Sequence, residues 1–175
     1  MDCNYMESVW WAFSEMYKKG LVYRGTKIMP FSTACNTVLS NFEAGSNYKD
    51  VSDPAVIVTF PTLKDPNVAF IAWTTTPWTL PSNLALAVNP KLDYVKIKDE
   101  SNGKIYWCMN ERLQYVLKQC KIAKHTVLET LKGEALCGTE YEPIFNYFNE
   151  RKAQKCFTVI SANYVSTDAG TGIVH

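Results

Sequence analysis

Residues 55–83 read AVIVTFPTLKDPNVAFIAWTTTPWTLPSN. β-branched and aromatic residues fill 55–60 and 68–73, which predicts two strands, and Asp65-Pro66 between them predicts a turn. The second strand leads into threonines that are interrupted by prolines. Because residues before proline avoid the helical region and proline lacks an N–H, we expect a stiff, extended loop at the end of this strand.

Further signals lie downstream of this stretch. Residues 94–98 alternate apolar and charged side chains, and Asn102-Gly103 separates them from 104–108, which predicts a β-hairpin. Apolar residues at helical spacing predict a helix over 111–120, and 156–160 has strand composition. These patterns predict an α+β fold with a β-rich module that is closed or barrel-like.

The N-terminal part has a different character. Residues 4–20 show helical periodicity with Asn4 as the expected N-cap, and short extended pieces follow at 21–23 and 28–31. Composition shifts to short β-type runs near 49–54. We therefore expect two parts, residues 1–50 and residues 51–175.

Composition excludes several classes of protein. Lys plus Arg is 18 and Asp plus Glu is 17, so the net charge of +1 does not suit binding of nucleic acid through bulk positive charge. With 47% hydrophobic and 20% charged residues, the chain can bury a core and is not disordered.

Cysteine and export signals point to a reducing compartment. The 6 cysteines lie too far apart in sequence for a zinc half-site, so no metal is expected. The N-terminus has no secretory pattern, and the uncharged run 66–90 is too rich in proline and hydroxyl groups to span a membrane. We expect reduced, mostly buried thiols and a cytoplasmic location.

The threonine-rich loop is the candidate site. Neutral donors held rigidly among apolar groups suit a site that orients a polar substrate and stabilises developing negative charge. The alternative is that Thr74–Thr76 only prolong a strand, because threonine is a strand former. Likewise, a single histidine such as His175 is more often structural than catalytic, and Gly170–Gly172 alone indicates a turn.

Two motifs carry a family resemblance. Residues 73–83, WTTTPWTLPSN, resemble the threonine-rich editing motif of the isoleucyl-tRNA synthetases, and residues 170–175, GTGIVH, resemble the second half of that site. Valyl and leucyl relatives carry Arg where this chain has Thr76. Residues 19–25 and 30–43 resemble the approach to the editing insertion in the eukaryotic cytosolic enzymes, so the resemblance spans essentially the whole chain.

The resemblance implies that the chain contains parts of two domains. Residues 1–50 would be a peripheral piece of the class I synthetic domain, and 51–175 a C-terminally incomplete editing domain, connective peptide 1. The HIGH and KMSKS motifs that serve ATP and Mg in the parent synthetase are absent, so no aminoacyl-adenylate synthesis is expected. The family also uses an Asp beyond the position of His175, so deacylation by this chain alone is expected to be weak or nil.

By the same resemblance, the site hydrolyses valine mischarged onto tRNA(Ile) by a double sieve, without a metal. Thr75 and Thr76 would bind the substrate and orient water or the oxyanion, and Asn83 would contact the terminal adenosine or the ester. His175 would line the side-chain pocket and is not assigned as general base. The expected partners are the tRNA(Ile) 3′ end, valine or a valyl ester, and other synthetases in a multi-enzyme complex. Further substrate-binding positions are Trp73, Thr74, Trp78, Thr79, Gly170 and Gly172.

Two other interpretations remain open from the sequence. A passive module that binds the tRNA end or a protein would keep the pocket without turnover, with its aromatic residues stacking on a base. A thiol enzyme would use Cys120 or Cys156, which have Lys121 and Lys155 as neighbours. Buried structural thiols fit these cysteines better.

Overall fold

The computed structural model of the protein describes residues 2–175; Met1, the first residue of the predicted N-terminal piece, lies outside the described residues. The backbone divides between Val51 and Ser52 into two units, Met1–Val51 and Ser52–His175.

The first unit contains one long helix, α1 (Cys3–Lys18). Its N-cap is Asp2, whose carboxylate accepts a hydrogen bond from the Asn4 N–H at 3.1 Å, so the prediction that Asn4 caps the helix is wrong by two residues. An aspartate side chain serves this role as well as asparagine does. The unit continues through a two-stranded hairpin, β1 (Phe31–Ser32) and β2 (Thr37–Val38), to the short helix α2 (Asn41–Ala44).

The second unit contains most of the regular structure. In chain order its elements are β3 (Val56–Pro61), β4 (Val68–Thr74), β5 (Ala85–Val88), β6 (Asp93–Asp99), β7 (Ile105–Met109), α3 (Leu113–Gln119), β8 (His125–Lys132), α4 (Gly133–Leu136) and β9 (Thr158–Ser161). Short 3₁₀ helices cover Pro77–Ser82, Asn110–Arg112 and Asn149–Gln154.

A five-stranded sheet with the order β3-β4-β7-β6-β8 forms the centre of this unit. β4 and β7 are parallel, and the other neighbouring strands are antiparallel. The hairpin predicted at Asn102-Gly103 joins β6 to β7, with Gly103 at φ 73°. β5 and β9 pair in parallel as a separate two-stranded sheet. The α+β prediction is confirmed, and within residues 2–175 the sheets stay open instead of closing into a barrel.

Side chains from the two faces of the sheet enter different apolar clusters. Phe70 and Tyr94 belong to one cluster, which also contains residues of β5 and β9. Their chain neighbours Ile71 and Val95 belong to the other, which contains residues of α3. This division follows from the alternation of side chains along a strand. The candidate site lies on the side of the first cluster.

Cysteine burial is mixed. All 6 thiols are free: Cys108 is buried, whereas Cys3 and Cys35 are exposed, which differs from the expectation of mostly buried thiols. Burial raises the pKa of the Cys108 thiol to about 12, so this group is a poor nucleophile. In the part of the chain that the structure describes, no helix is long and apolar enough to cross a bilayer.

Candidate functional site

A cavity of about 710 Å³ lies where four segments of the second unit meet. The segments are the end of β4 with the following 3₁₀ helix, strand β5, the stretch from the end of β9 to residue 166, and residues 169–175. Among the described residues, none of the side chains that line it is an aspartate, glutamate, lysine or arginine. The lining is hydroxyl, amide, imidazole and apolar.

The loop after β4 folds as two successive tight turns. The Thr79 N–H donates to the Thr76 carbonyl at 3.0 Å, and the Asn83 N–H donates to the Leu80 carbonyl at 3.0 Å. Pro77 occupies the first helical position, where a missing N–H costs nothing. Pro81 follows Leu80 inside the 3₁₀ helix, so the expectation of an extended loop is wrong for 77–82, because short 3₁₀ turns tolerate proline where an α-helix does not.

These turns bring the threonine hydroxyls into one chain of contacts. Thr74 Oγ1 accepts from the Thr76 N–H at 3.0 Å and lies 3.2 Å from Thr76 Oγ1. Thr76 Oγ1 lies 3.4 Å from Thr79 Oγ1. The Thr79 hydroxyl donates to the Thr76 carbonyl at 2.6 Å, so its single proton is used there.

His175, which is distant in sequence, adds a further contact to this series of hydroxyl groups. Val174 pairs with Ala87 of β5 through reciprocal backbone hydrogen bonds of 2.7 and 3.1 Å, which places the next residue at the cavity. His175 Nε2 lies 3.4 Å from Thr79 Oγ1. Because the Thr79 proton is already committed, this contact requires a proton on Nε2. Partial burial lowers the pKa of His175, so near neutral pH the ring is uncharged and Nδ1 is an acceptor.

Two glycines let residues 170–172 pass close to the sheet. Gly170 has φ 70°, and a Cβ there would lie 3.1 Å from the ring of Trp73. Gly172 has φ 78°, and a Cβ there would collide with Met109. The Tyr94 hydroxyl donates to the Gly172 carbonyl at 2.7 Å, and burial raises the pKa of this phenol to about 12, so it remains a donor.

A charged side chain outside the cavity also contacts this segment. Arg112 Nε donates to the Gly170 carbonyl at 2.9 Å, and its Nη1 lies 3.5 Å from the Thr167 carbonyl. The guanidinium carbon lies 4.5 Å from the Tyr115 ring centroid. Both contacts with carbonyl oxygens restrain the backbone of the segment that carries the glycines.

Asn83 has fixed hydrogen-bond partners. Its side chain is only 7% exposed, its Nδ2 donates to the Ala85 carbonyl at 2.9 Å, and its Oδ1 accepts from the Tyr141 hydroxyl at 2.6 Å. Burial raises the pKa of Tyr141.

The structure brings most of the sequence-predicted site residues to the cavity. Trp78 does not line it: this side chain is 71% exposed, because the 3₁₀ helix turns it away. Thr75 lines the cavity, and its hydroxyl has no partner among residues 2–175. The predicted residues that line the cavity are Trp73, Thr74, Thr75, Thr76, Thr79, Asn83, Gly170, Gly172 and His175.

Other lining residues were missed in the sequence. Ala85 and Ala87 of β5 are small residues that leave space, and only recognition of β5 as a strand would have indicated them. Tyr164 lies at the edge of the cavity with 72% of its surface exposed. The lining residues Ser82, Thr171, Ile173 and Val174 lie within the two quoted motifs but were not singled out there. The remaining missed residues are Leu84, Ile160, Val165, Ser166 and Ala169.

This set of groups suits recognition of an uncharged polar ligand. Hydroxyls, an amide and a neutral imidazole donate and accept hydrogen bonds without attracting a strongly hydrated ion. Apolar side chains line the cavity beside them. Such a site can orient an ester and a water molecule and can stabilise an oxyanion by neutral donors.

Comparison with known proteins defines the class. The family described as class I tRNA synthetases (I, L, M and V) matches residues 1–169, and the chain belongs to this family.

Individual relatives are more specific. The chain is 55% identical over 172 residues to the cytoplasmic isoleucine–tRNA ligase of Mus musculus, covering 98% of this chain and 14% of that protein. It is 55% identical over 175 residues to the probable cytoplasmic isoleucine–tRNA ligase of Dictyostelium discoideum, covering 100% of this chain and 16% of that protein. These relatives confirm the resemblance to isoleucyl-tRNA synthetases, of which the chain spans a small part.

Solved structures show the same fold. GlLeuRS-CP1 matches with a TM-score of 0.54 at 15% identity, covering 69% of this chain and 53% of that one. The editing domain of the P. knowlesi cytosolic leucyl-tRNA synthetase matches with a TM-score of 0.51 at 14% identity, covering 69% and 55%. At such identities the likeness concerns the fold alone.

Proposed function

We propose that the second unit is the editing site of an isoleucine–tRNA ligase and that it hydrolyses the ester between valine and the terminal adenosine of tRNA(Ile). The observation that carries this proposal is the uncharged cavity in which Thr74, Thr76, Thr79 and His175 form one chain of polar contacts. A cavity of about 710 Å³ has room for an aminoacyl nucleoside as well as an amino acid.

The need for such a site follows from small differences in binding energy. Valine lacks one methylene of isoleucine, which is worth about 0.8 kcal/mol of burial and permits only about 1–3 kcal/mol of discrimination. Isoleucyl-tRNA synthetase is itself the standard example of this limit, so the magnitude is a known property of the family. A second pocket that accepts valine and excludes isoleucine by steric overlap adds discrimination, because overpacking a rigid wall costs about 1–3 kcal/mol.

In the proposed reaction, a water molecule attacks the ester carbonyl, the bond between the carbonyl carbon and the ribose oxygen breaks, and a proton from the water ends on the released ribose hydroxyl. The Thr75 and Thr76 hydroxyls, with N–H groups of the loop, position the ester and the water. Neutral donors stabilise the tetrahedral oxyanion as it forms. His175 contributes to the wall of the side-chain pocket. It is not assigned as general base, because no carboxylate side chain among the described residues lines the cavity to orient it.

A second part of the proposal concerns the longer protein of which this chain would be a segment. By analogy with its relatives, we propose a cytoplasmic isoleucine–tRNA ligase that uses ATP and Mg at a site outside this chain. Its partners would be tRNA(Ile) and, in a multi-enzyme complex, other synthetases. The names of the mouse and Dictyostelium relatives support the location and the substrate.

The test compares hydrolysis of Val-tRNA(Ile) and Ile-tRNA(Ile). Both substrates are given to the 175-residue chain and to a chimera in which the chain replaces the matching segment of the Dictyostelium ligase. We expect the chimera to hydrolyse the valyl ester at least about tenfold faster than the isoleucyl ester. Equal rates for the two esters would refute the sieve, and binding without turnover would identify a passive module.

A matched pair of variants locates the activity. Thr76→Val keeps the shape of the side chain and removes one hydroxyl from the chain of contacts, so hydrolysis should fall about three- to tenfold. Thr59→Val makes the same change at an exposed position of β3 that does not line the cavity, and should leave the rate unchanged. Equal rates in the two variants would place the chemistry elsewhere.

A further inference from the structure

The orientation of the Asn83 side chain is determined by its neighbours. A backbone carbonyl only accepts hydrogen bonds, so the atom of Asn83 that lies 2.9 Å from the Ala85 oxygen is the amide nitrogen. The other atom of the amide is therefore the oxygen, and it lies 2.6 Å from the Tyr141 hydroxyl. Because this oxygen has no proton, Tyr141 is the donor.

Tyr141 itself has little freedom. Its side chain is fully buried, and its ring contacts Phe60 and Phe157 edge to face, with centroids 5.3 and 6.2 Å away. Its backbone N–H donates to the Phe157 carbonyl at 3.0 Å. The ring and the main chain together hold the hydroxyl at one place, and burial raises the pKa of the phenol, so it stays protonated near neutral pH.

We propose that Tyr141 is a positioning residue of the site: by donating to Asn83 Oδ1, it makes Asn83 present an N–H to the bound substrate. Asn83 has two amide hydrogens, and Ala85 accepts one of them. The second amide hydrogen can bind an occupant of the cavity, which Asn83 lines. Tyr141 is separated from Asn83 by 58 residues and does not line the cavity.

This inference rests on the proposed function and makes it chemically more specific. An N–H can only bind an acceptor, such as the ester carbonyl oxygen, the developing oxyanion or an acceptor atom of the adenosine. It cannot bind the α-ammonium group of valine, which is itself a donor. The amide nitrogen of Asn83 therefore contacts an acceptor atom of the substrate, whereas its oxygen is engaged by Tyr141.

The experiment is a double-mutant cycle in the same chimera with Val-tRNA(Ile). Tyr141→Phe removes one hydroxyl and keeps the ring, so kcat/KM should fall about three- to tenfold, through kcat if the amide binds the oxyanion and through KM if it binds the adenosine. Asn83→Ala should lower kcat/KM by at least as much. If Tyr141 acts through Asn83, the double variant should be no slower than Asn83→Ala alone.

Two control variants separate positioning from a general loss of stability. Ile97→Val weakens the packing of the other apolar cluster and leaves the contacts of Tyr141 in place, so the urea midpoint should fall while kcat/KM stays near that of the parent. Tyr106→Phe removes the hydroxyl of a half-buried tyrosine that lines a different, smaller cavity, and should alter neither quantity.

A spectroscopic measurement does not depend on turnover. The side-chain ¹⁵NH₂ signals of Asn83 in the 175-residue chain should shift in Tyr141→Phe and stay in place in Tyr106→Phe. Unshifted signals, an unchanged kcat/KM in Tyr141→Phe, or additive losses in the double variant would each overturn the proposal. If the parent chimera hydrolyses no ester while the signals shift, the proposed function fails and the Tyr141–Asn83 contact stands.

Discussion

At the scale of single residues, the polar groups of the cavity are largely partners of one another. The Thr79 proton is used by the Thr76 carbonyl, and the contact with His175 then requires a proton on Nε2. Among Thr74, Thr75, Thr76 and Thr79, Thr75 is the residue whose hydroxyl can bind water or a substrate without giving up a partner in the described residues. A substrate therefore meets a site whose hydrogen bonds are already oriented, which lowers the cost of reorganisation in the transition state.

The partial burial of His175 predicts a dependence of stability on pH. Its pKa is lowered in the folded chain, so between this value and the usual 6.5 the unfolded chain binds more protons. The stability present above pH 6.5 is therefore lost as the pH falls through the folded pKa. Between pH 7 and pH 5, the free energy of unfolding should decrease more for the parent chain than for His175→Gln, as measured by urea titration.

The control for this measurement is a variant that leaves His175 in place. Thr59→Val lies at an exposed position of β3 that does not line the cavity, so it should retain the pH dependence of the parent. Identical pH profiles for the parent and His175→Gln would mean that the burial of His175 does not affect its protonation.

The sequence identified residues whose chemistry is visible locally and missed those that act over long distances. The threonines of residues 74–79 were found because prolines and tryptophans around them do not suit a regular strand, whereas His175 was found only through the resemblance of residues 170–175 to the family motif. Tyr141 and Arg112 were missed because their hydrogen bonds join residues 58 apart. A buried tyrosine or a surface arginine gives no local signal of such a partner.

At the scale of elements, the turn at residues 170–172 depends on its glycines. Gly172 combines a positive φ with a close approach to Met109, whereas Gly103 in the β6–β7 hairpin has a similar φ and open space around it. Substituting alanine at both glycines therefore distinguishes the free-energy cost of a left-handed backbone, which both share, from the cost of steric overlap, which only Gly172 has.

We therefore expect Gly172→Ala to destabilise the chain more than Gly103→Ala. The hairpin variant should lose about 1–2 kcal/mol from the left-handed backbone alone. The Gly172 variant should lose about 1–3 kcal/mol more, because the methyl group overlaps Met109. Urea unfolding of both variants measures the difference, and equal losses would show that the Met109 contact relaxes without cost.

Strands were predictable where one sequence pattern was sufficient. β3, β4, β6 and β7 were expected from apolar runs, alternation and the Asn-Gly turn, and they form. β8 was missed because most of its residues are exposed, so no alternation marks a buried face. β5 was missed because it is short and alanine-rich, and it is defined by pairing with β9, which lies far along the chain.

At the scale of the whole molecule, the buried apolar side chains lie between Phe60 and Ile173 in the part of the chain that the structure describes. Both apolar clusters therefore belong to the unit Ser52–His175. The hydrophobic driving force for folding is concentrated there.

This distribution predicts that residues 52–175 fold without residues 1–51. A chain that begins at Ser52 should unfold cooperatively in urea and show the same near-UV circular dichroism from its buried tyrosines and Trp107. Loss of the near-UV signal on truncation would show that the first unit is required for the packing of the second. The full 175-residue chain, measured under the same conditions, is the reference.

The pairing of β5 with both β9 and Val174 also sets when the cavity can exist during synthesis. Thr79 and His175 are 96 residues apart, so a growing polypeptide releases the threonine loop from the ribosome long before its opposite wall. Closing so large a loop is slow, because chain entropy must be lost before any long-range contact compensates for it. A nascent chain therefore carries a bare threonine loop first and acquires a pocket only when translation has passed the histidine.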